Sequence, residues 1–187
     1  MANRNTQGFG LTAAGTLGST PATSGQGKYK IDAGYGTTIY QGGAVASSAG
    51  YIIDGQTTDA PILGVLNGIF YNAATTLKPT FANFYKTPIT PANSEDIDAF
   101  VFDNPQQQYV VATDDAVTQA GFLETYDMNT SAGSDTTGKS SATLDIDDTS
   151  ADAASFRLLR SAEDPENDEN AAFRSVVVCI NLIELLS

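Results

Sequence analysis

The side chains of this chain best spaced for chemistry lie in Gly133-Ser134-Asp135-Thr136-Thr137-Gly138-Lys139-Ser140, which matches the phosphate-loop pattern G-x-x-x-x-G-K-[ST] at every fixed position. In a working loop of that kind, backbone amides cradle the phosphates, the lysine reaches the terminal ones, and the helix that follows points its N-terminus at them. Here the next residues are SATLDID, in which Leu144 and Ile146 alternate as in a strand. Asp135 would set a negative charge inside the cradle. The strand-like AFVFD run ending at Asp103, a look-alike for the metal-binding strand, lies before the loop instead of after it. These features favour an ordinary Gly/Ser/Thr turn over a nucleotide site, with nucleotide binding kept as an alternative.

Histidine is absent from the chain. Ser-His-Asp and Cys-His catalysis and histidine metal ligation are therefore excluded, together with the commonest general base near neutral pH. Two acidic runs, DIDDTSAD (145–152) and EDPENDEN (163–170), place oxygens at every second or third residue. Both lack the glycine at the sixth position and the glutamate at the twelfth that a helix-loop-helix calcium site needs; the twelfth residues are Phe156 and Ser175. A solvated acidic surface is the simpler reading. A pair of carboxylates for glycoside hydrolysis is a matter of spatial separation, and without tryptophan to stack sugars that reading stays minor. Cys179, the only cysteine, sits in the apolar run VVVCINL and reads as a buried, inert thiol. The residues thus lead to the expectation of a protein that is not an enzyme, with no catalytic residue, no cofactor and no metal.

Charge is divided unevenly along the 187 residues. Positions 1–93 hold five basic and three acidic side chains, net +2, whereas positions 94–187 hold four basic and nineteen acidic ones, net −15. Such a surface repels phosphate backbones, so direct nucleic-acid binding is not expected. No apolar run approaches the roughly 18 residues of a membrane helix, and no membrane partner is expected.

The elements that must position these groups read as short strands. The centre of the reading is 97–115, IDAFVFDNPQQQYVVATDD, where two β-rich runs flank an Asp103-Asn104-Pro105 corner and predict a hairpin or a strand pair with a short loop. In the first run Phe100 and Phe102 face one way and Ala99 and Val101 the other, so both faces are apolar and a cover on each side is expected, from a second sheet or a partner chain. Further strands are expected at 29–31, 37–40, 44–46, 51–53, 142–146, 156–160 and 174–186, the last in the middle of a sheet. Asn67-Gly68 within PILGVLNGIFY marks either a hairpin or, in preference, a bulge in one long bent strand. The proline-rich stretch 75–95 reads as an irregular loop pinned by aromatic rings. A single helical turn is expected from Thr113 or Asp114 through Gln119, ended by Gly121. Residues 1–28 are too poor in apolar side chains to fold alone and read as an extended N-terminal arm lying along a neighbouring subunit, ahead of a single β domain at 29–187. The predicted class is all-β, a small barrel or sandwich, with a jelly-roll arrangement open and at most one short helix.

Taken in order, these landmarks resemble a group of tailed-bacteriophage head proteins that act as capsid decoration or cement proteins. The resemblance rests on the MANRNTQGFG start, IYQGGAV, the pair ILGVLNGIFY and KPTFANFY, then AFVFDNPQQQYVVATDD, GSDTTGKSSATLD and an acidic loop leading into VVVCINLIE. It spans nearly the whole chain. It implies a structural virion protein, made in the host cytoplasm, that binds the exterior of an icosahedral head and holds neighbouring major capsid subunits together against internal DNA pressure. The implied partners are the major capsid protein and further copies of the chain, as a dimer or trimer. Residues expected at the capsid contact are Arg4, Phe9 and Leu11 in the arm, then Phe81, Phe84 and Tyr85. Rival readings are a virion adhesion or receptor-facing module and a nucleotide-binding or carboxylate-dependent hydrolase.

Overall fold

Short runs of β-branched and aromatic residues punctuated by Gly, Pro and Asn form strands wherever one face can be buried, and this chain folds as a set of such strands. The computed structural model describes residues 3, 5–18, 25–56, 61–129, 133–147 and 155–181. In chain order the strands are β1 (Thr12–Thr16), β2 (Gly27–Ile31), β3 (Ala44–Ser48), β4 (Tyr51–Asp54), β5 (Gly64–Asn72), β6 (Pro79–Ala82) and β7 (Ile97–Phe102). They continue as β8 (Gln107–Ala112), β9 (Thr125–Tyr126), β10 (Met128–Asn129), β11 (Thr143–Leu144), β12 (Phe156–Ser161) and β13 (Ser175–Ile180). One sheet has the order β1-β8-β13-β12-β9. The other runs β2-β7-β5-β3-β4, with β6 also paired to β5, and β10 and β11 form a separate ribbon. Among the described residues every strand pairing is antiparallel and no barrel closes, so the all-β fold is sandwich-like.

The stretch at 97–115 does not form a hairpin. β7 pairs with β2 and β5 in the six-stranded sheet, whereas β8 pairs with β1 and β13 in the five-stranded one. The Asp-Asn-Pro corner therefore carries the chain from one sheet to the other. Proline lacks a ladder donor and Asn104 turns back on its own chain, with its side-chain oxygen accepting from Gln106 N–H at 2.9 Å. Both features end pairing at that point.

Two apolar cores result. Tyr109, Val111, Phe156, Leu158, Val176 and Val178 line the inner face of the five-stranded sheet and meet Ile62 and Val65. Ile31, Ile52, Leu66, Ile69, Ile97 and Val101 fill the inner face of the six-stranded sheet. All six residues of β13 are buried, and the strand lies between β8 and β12 as the sequence implied; the expected continuation at 182–186 lies outside the described residues. On its outer side the register sets Arg157 beside Cys179 and Arg160 beside Val177, where long aliphatic stems can cover apolar surface.

Several local expectations change. β5 runs unbroken through Asn67-Gly68, with a register shift between Leu66 and Gly68, so the bent strand is correct and the hairpin is not. Pro79 opens edge strand β6 inside the stretch read as a loop, a position where the missing N–H costs nothing. Ile39 makes only an isolated bridge to Tyr85 where a strand was expected at 37–40. Thr113 bridges Leu144, Asp114 accepts from Ile146 N–H at 2.9 Å, and the only helical geometry there is a 3-10 turn at Gln119–Gly121. Tertiary pairing takes up the Asp114 carboxylate and the Thr113 backbone, which donates to the Arg174 carbonyl and accepts from Phe173 N–H. Of the residues read as an arm, β1 pairs along β8 as the edge of its sheet, and Asn3 donates to the carbonyls of Asp168, Ala171 and Ala172.

Leu158 is fully buried in the first core. Leu158→Ala is expected to lower unfolding free energy by about 2–5 kcal/mol in urea melts. Removing residues 175–187 takes out the strand between β8 and β12 and is expected to abolish the cooperative transition altogether.

Candidate functional site

On a strand, alternate residues face opposite sides, and β7 turns Ile97, Ala99 and Val101 inward and Asp98, Phe100 and Phe102 outward. Phe102 packs against the first core. Phe100 has no such cover. On the far side of β5, β6 sets Phe81 directly opposite Phe70. The rings of Phe70 and Phe81 lie 4.8 Å apart at 49°, and Phe81 and Phe100 lie 6.3 Å apart at 18°. Phe81 and Phe100 meet across an intervening strand because the residue of β5 opposite Phe100 is Gly68, which has no side chain to stand between them. A Cβ there would come within 3.0 Å of the Ala82 carbonyl. Phe81 is 73% exposed although it sits on a strand. An aromatic stripe of this kind, on a sheet and open to water, is a candidate interaction surface.

Charge frames the stripe at one end. Lys28 and Lys30 on β2 both reach Asp98, at 2.7 and 2.6 Å. Burial pushes the Asp98 carboxyl up, but the two ammonium groups outweigh it and leave the pKa below the usual carboxylate value. The same contact raises that of Lys30. Glu95 is exposed beside this cluster, and Asp96 accepts from the Tyr51 hydroxyl at 3.2 Å.

The expected contact residues fall in different places. Phe81 is the centre of the stripe. Phe84 is half-buried and stacks on Tyr40, 5.6 Å away at 6°. Tyr85 is fully buried in the second core, its hydroxyl donating to the Tyr35 carbonyl at 2.5 Å, and so cannot touch a partner in the folded chain. Leu11 is 3% exposed and belongs to the first core; Phe9, half-buried, lines a cavity of about 470 Å³ beside it. Arg4 lies outside the described residues. No sequence signal marks Phe70 or Phe100 as a contact residue; the alternation that sets Phe100 on the face opposite Ala99 and Val101 is visible in the sequence, but its meeting with Phe81 requires the pairing of β6 and β7 with β5.

The Gly133 loop is a tight turn stapled to its neighbours. Gly133 and Ser140 bridge, Ser134 N–H donates to the Lys139 carbonyl, and Gly138 takes φ +70°, a conformation suited to glycine. A Cβ on Gly138 would lie 2.4 Å from the Phe84 ring. Asp135, far from facing a phosphate, accepts from the Tyr40 hydroxyl at 2.7 Å and pairs with Lys86 at 2.9 Å, contacts that lower its pKa and raise that of Tyr40. β11 follows in place of a helix. Burial raises the Cys179 thiol, which keeps it protonated and unreactive near neutral pH. The acidic loop at 163–170 folds on itself, with Asn167 donating to the Ala162 and Ser175 carbonyls. Among the described residues, no three metal-capable side chains converge.

No family model matches the chain, and neither a curated protein nor a solved structure does.

A carboxylate whose pKa is depressed on folding stabilises above its unfolded pKa, and that contribution disappears as pH falls through the folded value. Asp98→Asn is accordingly expected to cost up to about 1 kcal/mol at pH 7, since both lysines are half-exposed and screened. The difference from wild type should begin to shrink near about pH 4, the unfolded carboxylate value, and vanish as pH falls below the depressed folded value. Urea midpoints of the two proteins between pH 2 and 7 measure it.

Proposed function

We propose that this chain is a structural virion protein that binds the outer surface of an icosahedral phage head and cements neighbouring major capsid subunits, acting by mechanical attachment and not by catalysis. The single observation that carries this reading is the Phe70, Phe81 and Phe100 stripe: an apolar outer face on a strand whose inner face is already buried. A hydrogen-bonded sheet holds those rings in place, so little side-chain order is lost when a partner covers them. The resemblance of the chain's landmarks to capsid decoration proteins supplies the identity of that partner.

In this reading each copy engages major capsid subunits through the stripe, and association of copies as a dimer or trimer brings several such faces to one shell. The second contact is then made at high effective concentration, so modest individual affinities sum to a firm clamp. The net charge of −13 suits the outside of a shell, away from packaged DNA.

Burying one phenyl ring contributes about 1.5–3 kcal/mol, or roughly 10–100-fold in Kd. Phe81→Ser is expected to weaken binding to expanded, decoration-free heads by that factor, measured by co-sedimentation, with the thermal midpoint of the free protein unchanged. Binding equal to wild type would sink the reading.

A further inference from the structure

The outward residues of β7 do more than build the aromatic stripe. Asp98, Phe100 and Phe102 line, in that order, three successive depressions, of about 310, 470 and 470 Å³. They follow one another at the two-residue repeat of a strand, about 6.6 Å. The ring pair Phe70 and Phe81 separates the first depression from the second, and Asn67 borders both the second and the third. Along this track β5 is bulged at Asn67 and bare at Gly68, and the Phe81 and Phe100 rings that meet across Gly68 line the second depression.

Its two ends carry opposite charge. At the Asp98 end, Lys28 and Lys30 pair with Asp98, and Lys30, which also lines the depression, acts on Glu95 and Asp96 as well; two cations against three carboxylates leave that end with one net negative charge. At the Phe102 end, Lys139 is exposed and has no carboxylate partner among the described residues. The middle is apolar, with the amide groups of Asn67 and Asn83 along the rim.

From this sequence of depressions we infer that the track receives an extended polypeptide segment of a partner protein. That segment carries an arginine or lysine at the Glu95 end, apolar side chains at alternate positions over the Phe100 and Phe102 depressions, and a carboxylate at the Lys139 end. A planar guanidinium suits the first depression best, because it can stack on Phe70 while it faces the carboxylates. From Asp98 to Phe102 the track spans roughly 13 Å, and with its charged ends it accommodates about seven residues of extended chain. Under the reading above, the segment belongs to the major capsid subunit. The inference deepens that reading, and its test separates the two.

The probe is an acetylated, amidated heptapeptide, Arg-Thr-Val-Thr-Leu-Thr-Glu, titrated into the isotope-labelled full chain and followed by amide shifts. Expected are shifts confined to the neighbourhoods of Gly68, Phe81, Phe100 and Phe102. Affinity should fall at least fivefold when both charged peptide ends are serine, and likewise for Glu95→Lys and for Lys139→Glu with the original peptide. Both positions are exposed, so the variants are expected to keep the wild-type thermal midpoint. Absence of shifts, shifts elsewhere, or charge reversals that bind within twofold of wild type would overturn the inference. Peptide binding without head binding removes the virion reading and keeps the track; Phe81-dependent head binding that ignores both reversals does the opposite.

Discussion

The Tyr109 hydroxyl donates to the Phe102 carbonyl at 3.0 Å, closing the corner where the chain leaves one sheet and enters the other. Tyr109 is fully buried in the first core, and burial raises its pKa well above that of a free phenol, so the hydroxyl stays a donor at any physiological pH. Around it, Gln107 N–H donates to the Asn104 carbonyl at 2.9 Å and the Gln107 side chain to Gly15 at 2.7 Å, which ties edge strand β1 to the same corner. β7 and β8 each lie inside a sheet, between two partners. A slip at this corner would therefore shift the register of both sheets and move each inward set of side chains to the wrong face.

The aromatic stripe depends on that constraint. With Ile97, Ala99 and Val101 committed to the second core, strand parity leaves Phe100 no choice but the outer face. The sequence reading anticipated cover on both sides of this strand. Phe102 finds its cover in the first core, and half-buried Phe100 meets Phe81. An edge strand, β6, supplies that second ring, and one missing side chain on β5 lets the two meet. The surface is thus assembled from three strands that are distant in sequence, each doing nothing unusual alone.

The Gly133 loop illustrates the converse. Its letters match a phosphate site, yet its glycines serve packing: one sits against the Tyr40 ring and the other against Phe84 and Asn83. Glycine, serine and threonine are permissive in any tight turn, and the pattern acquires chemical meaning only when a strand precedes and a helix follows. Here the neighbours are the isolated bridge of Gln41 to Lys139 and a short strand, and the acidic residue that spoils a cradle instead anchors Lys86 and Tyr40.

By itself, the sequence determined the all-β class, the placement of most strands, the buried central position of the closing strand and the unreactive setting of Cys179, because alternation, turn residues and apolar runs are local properties of the chain. It also showed that β7 has two apolar faces. Only the tertiary structure decided that β7 and β8 part into different sheets, that the segment around β1 lies along its own domain, that Tyr85 is core while Phe81 is surface, and that Phe81 reaches Phe100. Each of those outcomes depends on which strands pair and in what register. Pairing is chosen by the burial of residues far apart in the chain, so no local pattern encodes it.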